Sequence, residues 1–205
     1  MLEARNITFG YGKQAPVFEG VSLTVAPDER VALVAPSGAG KTTLCRVLAG
    51  YERPQAGTVM VDGTPLPEKG RCPVQLIGQH PELFFDPRMT LGASLAEAGN
   101  STAELRERFE VREEWLTRYP SELSGGELQR LCIVRALAAE PRYLIADEMS
   151  VMLDAITQAR IWHELLVEAD CRSMGLVVVS HSPALTGHIA TRIYEVNPGV
   201  NSEET

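Results

Sequence analysis

The chain has 205 residues, 44% of them hydrophobic and 22% charged, which is the length and balance of one compact globular domain and excludes disordered, collagen-like and low-complexity classes. Its 19 basic against 27 acidic side chains leave a formal net charge of −8, without the broad basic footprint of a nucleic-acid binder. No apolar run approaches the roughly 18–20 residues of a membrane-spanning helix, and the opening Met-Leu-Glu-Ala-Arg-Asn has no apolar signal region, so the expected compartment is the cytoplasm.

The first 30 residues read as antiparallel strands, Leu2–Phe9 and Val21–Val25, punctuated by Gly10, Gly12, Pro16 and Gly20. Arg30–Ala35 is a nearly continuous apolar strand, as expected where helices cover both faces of a parallel sheet. A helix over Thr42–Ala49 follows, ended by Gly50. Then come a strand Thr58–Val61 entering a tight Asp62-Gly63 turn and a buried strand Val74–Ile77. From about Pro81 to Glu122 the pattern is helical, with pieces at Leu91–Ala98, Thr102–Phe109 and Glu113–Tyr119, and predicts a lobe inserted in the α/β core. The α/β alternation resumes with helix Gly125–Ala139, strand Arg142–Ala146, helix Ile156–Ala169, strand Leu176–Val179, helix Pro183–Ala190 and strand Arg192–Val196, and the tail from Asn197 reads as frayed.

Ala35-Pro-Ser-Gly-Ala-Gly-Lys-Thr-Thr43 lies between a buried strand and a helix, the setting of a phosphate-binding loop. Small residues (Ser37, Gly38, Ala39, Gly40) let successive backbone N–H groups turn toward a polyphosphate, and the helix N-terminus adds its dipole. Lys41 would reach the β- and γ-phosphates and the Thr42 hydroxyl a Mg²⁺ ion. The strict pattern has glycine where Ala35 stands. Tyr143-Leu-Ile-Ala-Asp-Glu148 is a second apolar strand ending in two acids; at the carboxyl end of a parallel strand Asp147 would face the ligand crevice and hold Mg²⁺ through water, while Glu148 would orient or deprotonate an attacking water. In Leu123-Ser-Gly-Gly-Glu-Leu-Gln-Arg130, Ser124 and Glu127 form a capping box, but two glycines in a first helical turn are costly. They make sense if an anion approaches the bare N–H groups, and since the chain already has one phosphate loop, that anion would be the nucleotide of another subunit.

With these motifs in order the sequence resembles the ATP-binding cassette ATPases from Leu2 to about Val196. The resemblance implies a RecA-like P-loop core with an N-terminal antiparallel β lobe and an inserted helical lobe. It places Tyr11 against adenine, Ala35–Thr43 (with Thr43) as Walker A, Gln79 as the Q-loop glutamine near Mg²⁺, Ser124–Gln129 (with Ser124, Gly125 and Gly126) as the signature, Leu144–Glu148 as Walker B, Leu153-Asp154 as the D-loop and His181 as the switch histidine. Pro87-Arg-Met-Thr90, Tyr119-Pro-Ser-Glu-Leu-Ser-Gly-Gly126 and Thr157-Gln-Ala-Arg-Ile161 are similar to the oligopeptide, dipeptide and nickel importer branch, whereas Met149 stands where proline is common. The implied cofactors are ATP and Mg²⁺. The implied partners are a second cassette, integral-membrane permease subunits and an extracytoplasmic solute-binding protein, with no nucleic acid, and the implied location is the cytoplasmic face of the membrane. The competing class, a soluble cassette acting on nucleic acid or ribosomes, usually needs a long coiled coil or tandem cassettes.

The remaining signals are local. Cys45, Cys72, Cys132 and Cys171 lack metal-ligand spacing and read as buried or semi-buried free thiols. His80, His163 and His188 read as structural, and Trp115 and Trp162 as packing residues. Leu83-Phe84-Phe85 is either core of the helical lobe or an exposed patch that receives a transmembrane partner.

Overall fold

A computed structural model describes residues 1–12, 15–99 and 102–196; the frayed tail expected from Asn197 lies outside the described residues. Two sheets form. Strands β1 (Leu2–Phe9), β2 (Phe18–Val25), β4 (Ala56–Val61) and β5 (Thr64–Pro65) make an antiparallel sheet in the order β2-β1-β4-β5. Strands β3 (Arg30–Val34), β6 (Val74–Ile77), β7 (Tyr143–Asp147), β8 (Gly175–Val179) and β9 (Arg192–Glu195) make a parallel sheet in the order β6-β7-β8-β3-β9. The Asp62-Gly63 turn joins β4 to β5 with positive φ at both residues, 50° and 74°, the geometry that matches the twist of a two-residue hairpin.

The period of two in the buried strands sorts side chains into two cores. Leu144, Ala146, Leu176 and Val178 face one cluster, while Tyr143, Ile145, Val177 and Val179 face the other. The second cluster is closed by helix α1 (Lys41–Leu48), which buries Leu44, Cys45, Val47 and Leu48, and by the inner face of the antiparallel sheet. The first is closed by α4 (Gly125–Ala138) and α5 (Ala155–Arg172) and by the helical pieces of the 81–122 stretch, α2 (Leu91–Ala98) and α3 (Ala103–Arg108), through Leu91, Leu95, Leu105, Phe109 and Trp115. The last helix is α6 (Pro183–Ile189).

Several expectations shift. Strand β2 begins at Phe18, three residues earlier than its alternation suggests, because Phe18 pairs with Phe9 across the sheet. The piece expected over Glu113–Tyr119 is one 3₁₀ turn, Glu113–Trp115, with a second turn at Pro120–Glu122, where proline forbids a longer helix. Cys171 is exposed rather than buried, lying on the solvent side of α5 near its end. His80, His163 and His188 are also exposed and fill no packing role, whereas Trp115 and Trp162 are buried as expected. The Leu83-Phe84-Phe85 stretch divides: Phe85 is core, Phe84 is half-buried against both clusters, and Leu83 is 73% exposed, so two exposed phenylalanines do not exist. The cause is the 3₁₀ turn Pro81–Phe84, which directs successive side chains to different sides.

Candidate active site

Because β3, β6, β7 and β8 run parallel, their carboxyl ends share one sheet edge, and the segments that follow them meet there: the 35–43 loop, Gln79, Asp147-Glu148 and His181. The loop turns through left-handed glycines, Gly38 at φ 81° and Gly40 at φ 86°, before α1 starts at Lys41. A Cβ on Gly40 would lie 2.4 Å from Val17 Cγ1, so this position admits only glycine, while one on Gly38 would point into open space. Ala35 is not among the residues with positive φ; its methyl packs against the core, and its carbonyl accepts from Lys41 Nζ at 2.8 Å, with Pro36 O accepting at 3.2 Å. Alanine therefore satisfies a position where the pattern has glycine. The lysine folds back over the loop and holds its charge at the loop centre.

The acidic end of β7 faces this loop. Asp147 is 3% exposed and its Oδ1 has no partner among the described residues. Burial pushes the Asp147 carboxyl above its usual range and the neighbouring Glu148 adds to this, while a hydrogen bond from Thr42 and the charge of Lys41 pull the other way. Thr42, Gln79 and Asp147 line one cavity of about 340 Å³. A buried acidic oxygen without a partner beside a hydroxyl and an amide is the donor set of an oxygen-ligated divalent cation, so these residues fit Mg²⁺. Glu148 sits at φ 51°, a left-handed conformation that costs energy in any residue but glycine, and its N–H donates to Val179 O. The turn aims its carboxylate at His181, whose Nε2 lies 2.8 Å from Glu148 Oε1. Tyr11 stands at the other side of the loop, its hydroxyl 3.3 Å from Thr43 Oγ1 and its ring edge-to-face on Phe9.

The second group of predicted residues lies elsewhere. Ser124 caps α4: its Oγ accepts from Glu127 N–H and its own N–H donates to Glu127 Oε2 at 2.9 Å, and these contacts hold the Glu127 carboxyl below its usual range. Gly126 and Asp154 line a separate cavity of about 580 Å³, apart from Thr42, Gln79 and Asp147. Asp154 caps α5, accepting from Ile156 and Thr157 N–H at 3.1 and 3.0 Å, which lowers its pKa. A Cβ on Gly125 would lie 2.9 Å from Met152 Sδ and one on Gly126 3.3 Å from Leu153 Cδ2, both ends of side chains that can shift. One chain does not bring its phosphate loop and its glycine-rich helix terminus together.

Three residues that shape the site are given no role by the motifs, although Gln158 falls within the Thr157–Ile161 stretch. Ser150, 6% exposed, accepts from Gln158 Nε2 at 2.7 Å and from Trp162 Nε1 at 3.2 Å, pinning the turn after Glu148 onto α5. From sequence Gln158 reads only as part of the Thr157–Ile161 stretch and Trp162 as a packing residue, since a hydrogen bond eight or twelve residues distant leaves no periodic trace.

Comparisons with known proteins agree with this geometry. Residues 18–151 match the model of the family described as ABC transporter. The nickel import system ATP-binding protein NikE of Staphylococcus aureus (strain bovine RF122 / ET3-1) is 32% identical over 214 residues, covering 98% of this chain and 88% of the relative, and NikE of strain MSSA476 matches equally well. Among solved structures, an ATP-binding subunit of an ABC transporter superposes with a TM-score of 0.86 at 24% identity, covering 100% of this chain and 90% of that one. The dimeric post-hydrolysis state of the ATP-binding cassette MJ0796 bound to ADP and Pi superposes with a TM-score of 0.81 at 23% identity, covering 100% and 98%. The parallel sheet with its phosphate loop, flanked by the antiparallel sheet, is the RecA-like cassette fold. On its motifs, its fold and this similarity over nearly its whole length, the chain belongs to the ABC transporter family, as one of its ATP-binding cassette ATPases.

Proposed function

We propose that this chain powers an importer of a small solute, nickel or a metal chelate before peptide, by hydrolysing ATP in composite sites shared between two cassettes on the cytoplasmic face of the membrane. The observation that carries the reading is the pairing at one sheet edge of the Lys41–Thr42 loop with Asp147 and Glu148, while the signature terminus at Ser124–Gly126 lies apart. A site split in this way is completed by a second copy whose glycine-rich terminus faces this chain's loop. Nickel is favoured because the curated relatives that cover almost the whole chain are nickel import ATP-binding proteins. Among the described residues no helix is long and apolar enough to cross a membrane, so permease subunits would supply the path, with a solute-binding protein delivering cargo on the other side.

In this reading the loop N–H groups and Lys41 bind the polyphosphate, and Tyr11 offers its ring to the adenine. Thr42, Asp147 and Gln79 hold Mg²⁺, which supplies neutralisation of phosphate charge. Glu148 accepts a proton from water or aligns that water through its carboxylate, and His181 Nε2, 2.8 Å from Oε1, holds the carboxylate in place. Asp154 fixes the entry to α5 and so the position of the turn facing the other copy.

Glu148→Gln tests the assignment. The amide keeps the shape and loses the charge and basicity, so the variant should retain Mg·ATP binding, lose at least about 100-fold in turnover, and run as an ATP-bound dimer on gel filtration. Wild-type steady-state hydrolysis by this variant would overturn the role of Glu148. Nickel uptake into vesicles carrying the chain with its permease, compared with uptake of a dipeptide, separates the two cargoes.

A further inference from the structure

The chain leaves the antiparallel sheet just before Tyr11, and a side chain carries the hydrogen bonding beyond the last strand pair. That pair between β1 and β4 is Thr8 with Ala56, and the Gln55 N–H donates to Thr8 O at 2.8 Å. Two residues further along the chain the donor is no longer backbone: Gln55 Nε2 reaches Gly10 O at 3.0 Å. On the opposite edge Phe9 O accepts from the Val17 N–H at 2.7 Å, and Phe9 pairs with Phe18. Gly10 is itself buried, with so little room that a Cβ on it would lie 3.1 Å from Pro16 Cα. A carbonyl on buried backbone needs a donor, and Gln55 supplies it.

Tyr11 follows at once. It is 49% exposed, yet its ring is held at three points. It stands edge-to-face on Phe9 with centroids 5.0 Å apart, Phe9 in turn stacks on Phe18 at 6.1 Å, and the Tyr11 hydroxyl lies 3.3 Å from Thr43 Oγ1. The ring thus bridges the end of β1 and the first turn of α1, beside the phosphate loop. Such contacts fix a ring only as well as the backbone that carries it, and Gly10 is the joint between β1 and Tyr11. Glycine has the widest choice of backbone angles, so pairing its carbonyl removes freedom that the ring contacts do not reach. Ordering that is complete before a ligand arrives is not subtracted from the affinity of the ligand.

We infer that Gln55 is a positioning residue for Tyr11: by holding the Gly10 carbonyl, its amide sets the ring beside the phosphate loop before a nucleotide arrives. This rests on the reading of Tyr11 as the adenine contact. In this scheme Gln55 touches neither base nor phosphate. It lowers the ordering cost of the base contact and leaves the phosphate contacts of Lys41 and Thr42 as they are. The nucleoside half of the ligand is then the part whose binding depends on Gln55, whereas a merely structural role would act on every ligand of the site alike. Gln55 lies between Pro54 and Ala56, outside the motifs, and is exposed.

Gln55→Met keeps the length of the side chain and removes the donor. Calorimetric titration should show a Kd for Mg·ATP weakened about fivefold and a Kd for Mg·tripolyphosphate, which has neither ribose nor base, within about twofold of the wild type. At saturating ATP kcat should stay within about twofold, so that the loss appears in KM. Gln55→Ala shortens an exposed side chain, cannot overpack, and should give the same ratio of the two affinities. Wild-type affinity for Mg·ATP in both variants, or equal weakening toward ATP and tripolyphosphate, overturns the inference. A double-mutant cycle identifies the route: adding Gln55→Met to Tyr11→Ala should change the Kd for Mg·ATP by less than about twofold, and multiplicative losses overturn action through Tyr11. Wild-type affinity for Mg·ATP in Tyr11→Ala instead refutes the site reading of Tyr11 on which the inference stands.

Discussion

Asp147→Asn separates what the buried acid costs the fold from what it gives the site. The carboxylate is 3% exposed, has an oxygen without a partner, and is held above its ordinary pKa chiefly by burial. An unpaired buried acceptor costs about 1–3 kcal/mol, more when charged. The amide variant sheds the charge but leaves its nitrogen in the unpartnered position, so the expected gain in stability is about 1 kcal/mol at neutral pH. For a chain of this size that raises the melting temperature by about 2–4 °C. A raised carboxyl pKa means the native state holds its proton over a window where the unfolded chain has already released it. The wild type should therefore lose stability as pH rises from the ordinary aspartate range near 3.9 through the native value, and remain lower above it. Asparagine has no such slope, so the difference between variant and wild type should widen on going from pH 4 to pH 7.5, and taking the difference cancels carboxyls common to both. Mg²⁺ with ATP should reverse the order, stabilising the wild type by mass action and the variant much less. Melts of both proteins across pH, with and without Mg·ATP, read all of this. An Asp147→Asn chain less stable than wild type at pH 7.5 without ligand would refute the reasoning, because the carboxylate would then be a structural partner.

Two further substitutions test particular contacts. Gly40→Ala places a methyl 2.4 Å from Val17 Cγ1 at φ 86° and should weaken ATP binding by more than about tenfold and lower stability by about 1–3 kcal/mol, whereas Ala35→Gly should leave binding within about twofold; equilibrium nucleotide titration of each distinguishes them. Phe85→Ser should cost the free chain about 3–5 kcal/mol, as expected for loss of a buried ring, while Leu83→Ser should leave its melting curve unchanged and reduce recovery of the permease complex on co-purification; equal effects of the two on the melt would contradict the division between core and surface.

The strands of the parallel sheet and the order of motifs were legible in the sequence because continuous apolar runs and glycine-rich turns are local signals. Arg30–Val34, Tyr143–Asp147 and Gly175–Val179 each bury residues on both faces, and that is why they read as unbroken hydrophobic stretches. The 81–122 region was harder. Its first turn presents Leu83, Phe84 and Phe85 to three different environments, and a 3₁₀ turn of four residues has no periodicity from which to assign them. Met152 and Leu153, the side chains nearest the signature glycines, arrive from a turn more than 25 residues away, a proximity that a one-dimensional reading does not contain.

The same limitation hides the contact that Gln129 on α4 makes. Gln129 falls within the signature stretch, but its complete burial is not legible there. Fully buried, it is a polar group that must be explained by what it holds, and it holds the carbonyl next to Gln79. The turn after Glu148 is fixed in a comparable way, through Ser150 to Gln158 and Trp162 on α5. The phosphate loop and the β7 acids thus follow parallel strands, while the segments around Gly78 and after Glu148 are each tied to a long helix by side-chain hydrogen bonds. Motions of α4 and α5 would then be felt at Gln79 and at Glu148 without deforming the sheet, since close-packed strands transmit displacement and resist bending.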